Sequence, residues 1–393
     1  MPGAKITLPP LTYAGEGALE NLLPEVKKFG PSNILVITDP ILLDIGLVEA
    51  VIWPLKAAGY KLDVYTDIEP EPPLACGEKL VDYTRAGGFD LILGVGGGSA
   101  LDLAKLTAVL AAHEGPVKDY LNLTATRQVE HKGYPKILLP TTSGTGSEVT
   151  NIAVLSLEST KDVVTHDNLL ADVAIVEPKL TLSMPPRVTA ATGIDALTHA
   201  VEAYVSIHAN PTTDALALQA IRLISGSLRR AYRNGRDKEA RSQMSYASYM
   251  AGLAFFNAGV AGVHALAYPL GGQFHIAHGE SNAVLLSYVM GYIRTSCRKR
   301  MADVLEALGI STAYMSEEEA SLRCVEELQR IVADVGIPAT LQEFSIPESA
   351  LPLLVEDGVK QKRLLARSPM PLEKKDIAAI YRAAFTGEVV EPL

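Results

Sequence analysis

Short β-branched and apolar runs recur at Ile34–Thr38, Leu62–Thr66, Leu91–Val95, Lys136–Leu139 and Val173–Val176, and no other feature limits the possible folds as tightly. Amphipathic segments such as Leu47–Ala58 and Gly77–Ala86 lie between the first three runs and bring the chain back to the same sheet edge. Strands joined in this way pair mostly in parallel. After Met184-Pro-Pro186 the strand-like runs stop. Long Ala/Leu-rich stretches follow at Thr189–Ser206, Asp214–Asn234, Glu239–Phe256, Asn282–Leu308, Glu317–Val335 and Lys375–Ala384. Adjacent prolines suit the first turn of a helix, where the missing N–H is no loss. The expected architecture is therefore an α/β N-terminal domain with a mostly parallel sheet over residues 1–184, followed by an all-α C-terminal domain over residues 185–393.

Composition excludes several classes of partner. A net charge of −10 with no long Lys/Arg cluster argues against nucleic acid, whose binding requires a basic face to release counterions. No apolar run reaches the length of a membrane span, and the opening MPGAKITLPP lacks the layout of a secretory signal, so a soluble cytoplasmic protein is expected. Cys76, Cys297 and Cys324 are far apart and odd in number, which points to neither a disulfide framework nor a thiolate metal site. Any metal must then be held by nitrogen and oxygen.

Two loops suit a dinucleotide. Leu91-Ile-Leu-Gly-Val-Gly-Gly-Gly-Ser-Ala-Leu-Asp-Leu-Ala-Lys105 reads as a buried strand, a glycine turn and a helix beginning near Ala100. Gly96, Gly97 and Gly98 let backbone approach a pyrophosphate, and the helix start supplies N–H groups and the positive end of a dipole. The spacing is not G-x-G-x-x-G. A second loop, Pro140-Thr-Thr-Ser-Gly-Thr-Gly-Ser-Glu-Val-Thr150, follows another strand and crowds hydroxyls at its C-terminal end, where ligands of open α/β sheets bind. Asp39, just past the first run, can accept from a ribose hydroxyl and repel a 2′-phosphate, favouring NAD over NADP.

Metal-ligand residues gather in the second half. Asp195 and His199 are four apart and share one helix face, beside an apolar stripe of Ile194, Leu197, Val201 and Tyr204 that places this helix inside its domain. His264, His275 and His278 are three of the chain's 8 histidines, and Pro269, Gly271 and Gly272 between them mark a bend that can return His278 towards His264. Spacing leaves open whether His264 or His275 joins His278. Imidazoles with one carboxylate suit Fe(II), Zn(II), Mn(II) or Co(II), with coordination left for substrate.

With these residues in view, the whole chain resembles the iron-containing (group III) alcohol dehydrogenases. The likeness rests on Gly96-Gly-Gly-Ser-Ala-Leu-Asp102, Pro140-Thr-Thr-Ser-Gly-Thr-Gly-Ser-Glu148, Ala191-Thr-Gly-Ile-Asp-Ala-Leu-Thr-His199 and the segment from His264 to Gly279. It implies a dinucleotide-binding α/β domain, a helical metal and substrate domain, an active site in the cleft between them, and a homodimer. It assigns Asp195, His199, His264 and His278 as metal ligands for Fe(II), with Zn(II) or Mn(II) as alternatives, and leaves His275 as a non-ligand. NAD, with NADP as the alternative, would meet Asp39, Gly96, Gly97, Gly98, Ser99, Asp102, Thr141, Thr142, Ser143, Thr145 and Lys161.

One departure alters the expected chemistry. Tyr268 stands where many relatives carry a further histidine, so a phenol of reference pKa about 10 replaces an imidazole suited to proton relay. Phe255 matches a position that shapes the substrate pocket in relatives. Together these residues imply reversible NAD(P)-linked oxidation of a small alcohol or hydroxy acid to its aldehyde or ketone. One alternative is a metal-dependent lyase of the dehydroquinate-synthase kind, disfavoured because the stretches around Asp195, His264 and His278 lack the basic residues a polyanionic sugar acid needs. The other is a redox-silent nucleotide-binding protein, disfavoured by the retained ligand set.

Overall fold

The computed structural model describes residues 3–158 and 160–392. The chain divides into two compact units, one spanning Leu8–Ser183 and one spanning Met184–Leu393 together with the segment ending at Thr7.

The first unit is built on the expected parallel sheet. Its elements are β1 (Thr12–Ala14), α1 (Leu22–Phe29), β2 (Asn33–Ile37), α2 (Pro40–Asp44), α3 (Leu47–Ala57), β3 (Lys61–Tyr65), α4 (Leu74–Gly87), β4 (Leu91–Gly96), α5 (Gly98–Leu110), β5 (Lys136–Pro140), β6 (Ile152–Ser156), β7 (Lys161–Thr165) and β8 (Val173–Val176). Six strands pair in the order β1-β8-β5-β4-β2-β3, each pair parallel. Every residue of β2, β4, β5 and β8 is buried, which is why these strands read as continuous apolar runs. Register brings the C-terminal ends of three strands together, because Ile37 pairs with Gly94 and Gly96 with Pro140. The loop after β2, the glycine turn after β4 and the hydroxyl-rich loop after β5 therefore start side by side. After β3 the chain crosses back over β2 to place β4 on its other side, which makes the β2/β4 border a topological switch point.

Three details differ from the sequence reading. Helix α5 begins at Gly98, not near Ala100, so the glycine turn itself forms the first helical turn. Strand β1 is too short to carry a periodic signal, and β6 and β7 form a separate antiparallel hairpin. The half-buried alternation along β6 explains why that hairpin lacks the solid apolar character of the central strands.

The second unit is helical: α6 (Pro186–Val205), α7 (Pro211–Arg233), α8 (Lys238–Ala258), α9 (Gly262–Phe274), α10 (His278–Ile293), α11 (Arg298–Ala307), α12 (Glu317–Asp334), α13 (Leu351–Val359), α14 (Lys362–Leu365) and α15 (Lys374–Thr386). Pro186 starts α6 and Pro211 starts α7, the latter behind a capping box between Asn210 and Thr213. The stretch expected as one helix from Asn282 to Leu308 is broken by a 3₁₀ turn at Arg294–Ser296. Arg294 is buried there and bonds Glu318, Ser321 and Glu391. Among the described residues no single helix is long and apolar enough to cross a membrane; the bent pair α8 and α9, turned by 105°, passes that test only jointly.

Helix α6 lies at the centre, buried from Ile194 to Val205 at every position. Helix α10 meets it so closely that a Cβ on Gly279 would sit 2.2 Å from the Ala191 carbonyl oxygen. That approach seats the first turn of α10, and with it His278, against α6. Gly279→Ala is expected to push the helices apart, lowering stability by about 1–3 kcal/mol in urea unfolding, in the range of overpacked cores.

Candidate metal centre and nucleotide loops

Three helices deliver the ligand-type side chains. Asp195 and His199 come from adjacent turns of α6, His264 from the first turn of α9, and His278 opens α10. Their ligand atoms all lie within 4.8 Å of one another. The Nε2 atoms of His264 and His199 are 3.0 Å apart, and Asp195 Oδ1 is 3.8 Å from His264 Nε2 and 3.6 Å from His278 Nε2. Asp195, His199 and His264 are buried, while the His278 side chain keeps 24% of its exposure and marks the open side. Helix α9 runs through Pro269, Gly271 and Gly272, where the sequence pointed to a bend, and ends only at Phe274; His275 takes its left-handed C-cap at φ 53, is exposed, and lies outside the group.

Glu202, which the sequence reading passed over, orients this set. It is fully buried one turn beyond His199 on α6, accepts from the Val263 backbone N–H at 2.6 Å, and lies 2.6 Å from His264 Nδ1. A carboxylate at that distance accepts a hydrogen bond from Nδ1–H, so the His264 Nε2 lone pair faces the group, the tautomer a metal requires. Asn282, also unanticipated, places its amide nitrogen 2.7 Å from Asp195 Oδ1. Burial alone would raise the Asp195 carboxyl, but His199, His278, His264 and the Asn282 amide outweigh it and hold it below the usual carboxylate range. Three imidazoles and one carboxylate converge here with their ligand atoms close together. That donor set fits a divalent cation of the Fe(II), Zn(II) or Mn(II) kind.

Apolar groups flank the centre. Phe255 on α8 stacks on His199 with ring centroids 4.2 Å apart and planes 16° from parallel. Tyr268, one turn beyond His264 on α9, is buried with its ring 6.2 Å from that of His278. Both pack in a cluster with Val260, Ala265, Leu364 and Leu365.

In the first unit most of the nucleotide candidates lie on the three adjoining loops and the first turn of α5, while Lys161 begins β7 and Asp102 lies within α5. Thr141 donates its N–H to the Gly96 carbonyl at 2.9 Å, joining the loops after β4 and β5. Gly98 permits closer contact still, since a Cβ there would lie 2.7 Å from Thr145 Cγ2. Thr142 and Ser99 remain half-buried at this edge, and Ser143 is buried. Asp39 caps α2 by accepting from the Leu42 N–H at 3.0 Å, which leaves its second oxygen beside Gly96. Lys161 forms an ion pair with Glu71, whose own N–H donates to Ser99 Oγ.

Asp102 serves the loop from within. Its Oδ1 accepts from Ser147 Oγ at 2.5 Å and pairs with the fully buried Lys105 at 2.9 Å, while Oδ2 accepts from the Val154 N–H. Lys105 in turn donates to the Ser147 carbonyl and to Thr150 Oγ1, so α5 is tied to the end of the hydroxyl-rich loop. Burial draws the Lys105 ammonium below its ordinary range against the pull of Asp102 and Glu148. Burial also pushes the Glu148 carboxyl up to about 7.

Comparison with known proteins shows what the whole chain is similar to. The family model described as "Iron-containing alcohol dehydrogenase" matches residues 9–178, and that described as "Fe-containing alcohol dehydrogenase family, C-terminal" matches residues 189–385. A long-chain-alcohol dehydrogenase of Geobacillus thermodenitrificans is 71% identical over 99% of this chain and 98% of its own length. The NAD-dependent methanol dehydrogenase of Bacillus methanolicus is 35% identical over 96% of this chain and 98% of its own length. A crystal structure of a 1,3-propanediol oxidoreductase superposes with a TM-score of 0.93 at 35% identity, covering 98% of this chain and 100% of that one.

Two outcomes follow from the geometry. Glu202→Gln is expected to weaken divalent metal binding by about 10- to 100-fold in chelator competition, the usual cost of losing the carboxylate behind a ligating histidine. For Glu148, the folded chain retains between pH 4.5 and about 7 a proton that the unfolded chain has released. Stability from this group is therefore present at low pH and falls as pH rises through that window, by about 3 kcal/mol at most. Urea unfolding should find Glu148→Gln close to the parent at pH values below the window and more stable than the parent above it.

Proposed function

The chain belongs to the iron-containing alcohol dehydrogenase family, and from that premise we propose that it interconverts a primary alcohol bearing an apolar chain with its aldehyde, using a nicotinamide dinucleotide and a divalent cation. It is an oxidoreductase acting on alcohols. The observation that carries the finer reading is the convergence of Asp195, His199, His264 and His278 within 4.8 Å, flanked by the apolar cluster around Phe255 and Tyr268. We assign Fe(II) to that group, with Zn(II) and Mn(II) as alternatives, and NAD to the loops bearing Asp39, Gly96, Gly97, Gly98, Ser99, Thr141, Thr142, Ser143, Thr145 and Lys161.

A divalent cation supplies Lewis-acid stabilisation of negative charge on the alcohol oxygen, and the dinucleotide supplies the hydride acceptor. The protein's own work is positional. Glu202 keeps the His264 lone pair directed inward, and Asp195 brings a negative charge that its neighbours hold ionised. Phe255, Val260, Leu364 and Leu365 offer carbon surface to an alkyl chain and keep water from the reacting centre. The Tyr268 phenol gives a hydrogen-bond donor where an imidazole would give a relay. The negative charge of Asp39 beside Gly96 favours a ribose hydroxyl over a 2′-phosphate, supporting NAD over NADP. In the first unit, Asp102 supports the loops through Lys105 and Ser147. The described cysteines are all free and buried, in keeping with a cytoplasmic location, and a homodimer is proposed on family likeness. The relatives described above are alcohol oxidoreductases, and none favours the lyase alternative.

The test is NADH formation with alcohols from ethanol to dodecanol, using protein reconstituted with Fe(II), Zn(II) or Mn(II). The expected result is metal-dependent turnover with kcat/KM rising up to about fourfold per added methylene until the apolar surface is filled. A flat series removes the apolar-chain assignment, and absence of NADH with every alcohol and metal sinks the mechanism.

A further inference from the structure

Asn282 lies against the ligand group without belonging to it. It lies one turn beyond His278 on α10 and is fully buried. Its Nδ2 is 2.7 Å from Asp195 Oδ1, 3.1 Å from His264 Nε2 and 3.3 Å from His278 Nε2. An amide nitrogen carries two hydrogens, so three acceptors compete for two donors. At the other end of the same carboxamide, Oδ1 is buried and has no hydrogen-bond partner. For packing alone, an apolar side chain would avoid the cost of that orphaned oxygen. An amide kept under those conditions points to a task at its nitrogen end.

We propose, on the metal reading given above, that Asn282 is a positioning residue of the metal centre. Its amide ties α10 to α6 through Asp195 Oδ1 and lies against the inward nitrogens of His264 on α9 and His278 on α10. A neutral donor at this place orients the Asp195 carboxylate and withdraws part of its charge without adding a competing ligand charge. The residue thereby sets both the convergence of three helices on one point and the hardness of the site toward borderline divalent cations.

The experiment titrates the full chain with Co(II), reading the visible ligand-field bands and the affinity by chelator competition. The parent is compared with Asn282→Ala, Asn282→Leu and Asn282→Asp, with His264→Ala as the control for the site itself. Far-UV circular dichroism and metal-free thermal unfolding report on folding. Asn282→Ala and Asn282→Leu are expected to fold yet bind Co(II) about 10- to 100-fold more weakly, with shifted bands. Asn282→Asp, close in shape, is expected to fold, to shift the bands, and to raise preference for Mn(II) over Co(II) through its added charge. Affinities within about twofold of the parent with unchanged bands would overturn the proposal, since a residue that only packs moves neither readout. Should the alanine and leucine variants not fold, the bands of Asn282→Asp decide alone, and unchanged bands overturn it. If the parent binds Co(II) no better than His264→Ala, it is the metal reading that fails. If the parent binds and His264→Ala does not, unaffected Asn282 variants remove only the role given to Asn282.

Discussion

Helix α6 carries Asp195, His199 and Glu202 on successive turns of a segment with almost no access to water, and the second unit is organised around satisfying them. A carboxylate without partners is too costly to bury, so each must meet donors from elsewhere in the fold. Glu202 is answered by the Val263 N–H and by His264 at the start of α9. Asp195 is answered by the amide of Asn282 on α10, with His264 and His278 close by. Those partners arrive only because α8 and α9 turn sharply and because Gly279 lets α10 press against the backbone of α6. The same contacts that neutralise buried charge also aim nitrogen and oxygen lone pairs at one point. Folding energetics and metal-site geometry are in this sense one problem with one solution.

The first unit reaches its site by register rather than by charge. Parallel pairing of β2, β4 and β5 aligns their C-terminal ends, and three loops then share one edge whatever their individual sequences. Buried charge enters behind the loops, where Lys105 and Asp102 join α5 to the hydroxyl-rich segment. Removing one member of such a buried pair leaves an uncompensated charge and typically costs about 3–5 kcal/mol. The loop is thus held by an interaction that leaves its outward face to a ligand. Asp102 was grouped with the nucleotide contacts by its place in the glycine segment. In the structure both its oxygens serve internal donors, which gives it a role in shaping the loop.

What was legible in the sequence follows from how each element is buried. Strands covered on both faces announce themselves as apolar runs, and β2, β4, β5 and β8 fall within a residue or so of their expected spans. A three-residue edge strand and the alternating β6 carry no such pattern, and β7, though buried from Lys161 to Val164, opens on two charged residues, so β1, β6 and β7 do not read as apolar runs. Asp195 and His199 were readable because i,i+4 spacing is a local property, whereas the choice between His264 and His275 turned on where α9 ends, which spacing does not state. Glu202 left a usable trace: a charged residue among Ala, Val and Tyr on a helix whose other face is apolar has to find a buried partner. Asn282 left none, because its place at the centre depends on the contact of α10 with α6, which is a property of the assembled helices.

The replacement of an expected histidine by Tyr268 is best understood within this charge balance. The site holds two buried carboxylates and three imidazoles, and one imidazole, His264, has its Nδ1 committed to Glu202. A further imidazole beside His278 would bring another group able to change charge near neutral pH into the most solvent-accessible part of the centre. A phenol there can donate a hydrogen bond. Its aromatic carbons also continue the apolar surface begun by Phe255, Val260 and Leu364. Tyr268 therefore puts a more apolar wall with one hydrogen-bond donor where an imidazole would put a proton-transfer group.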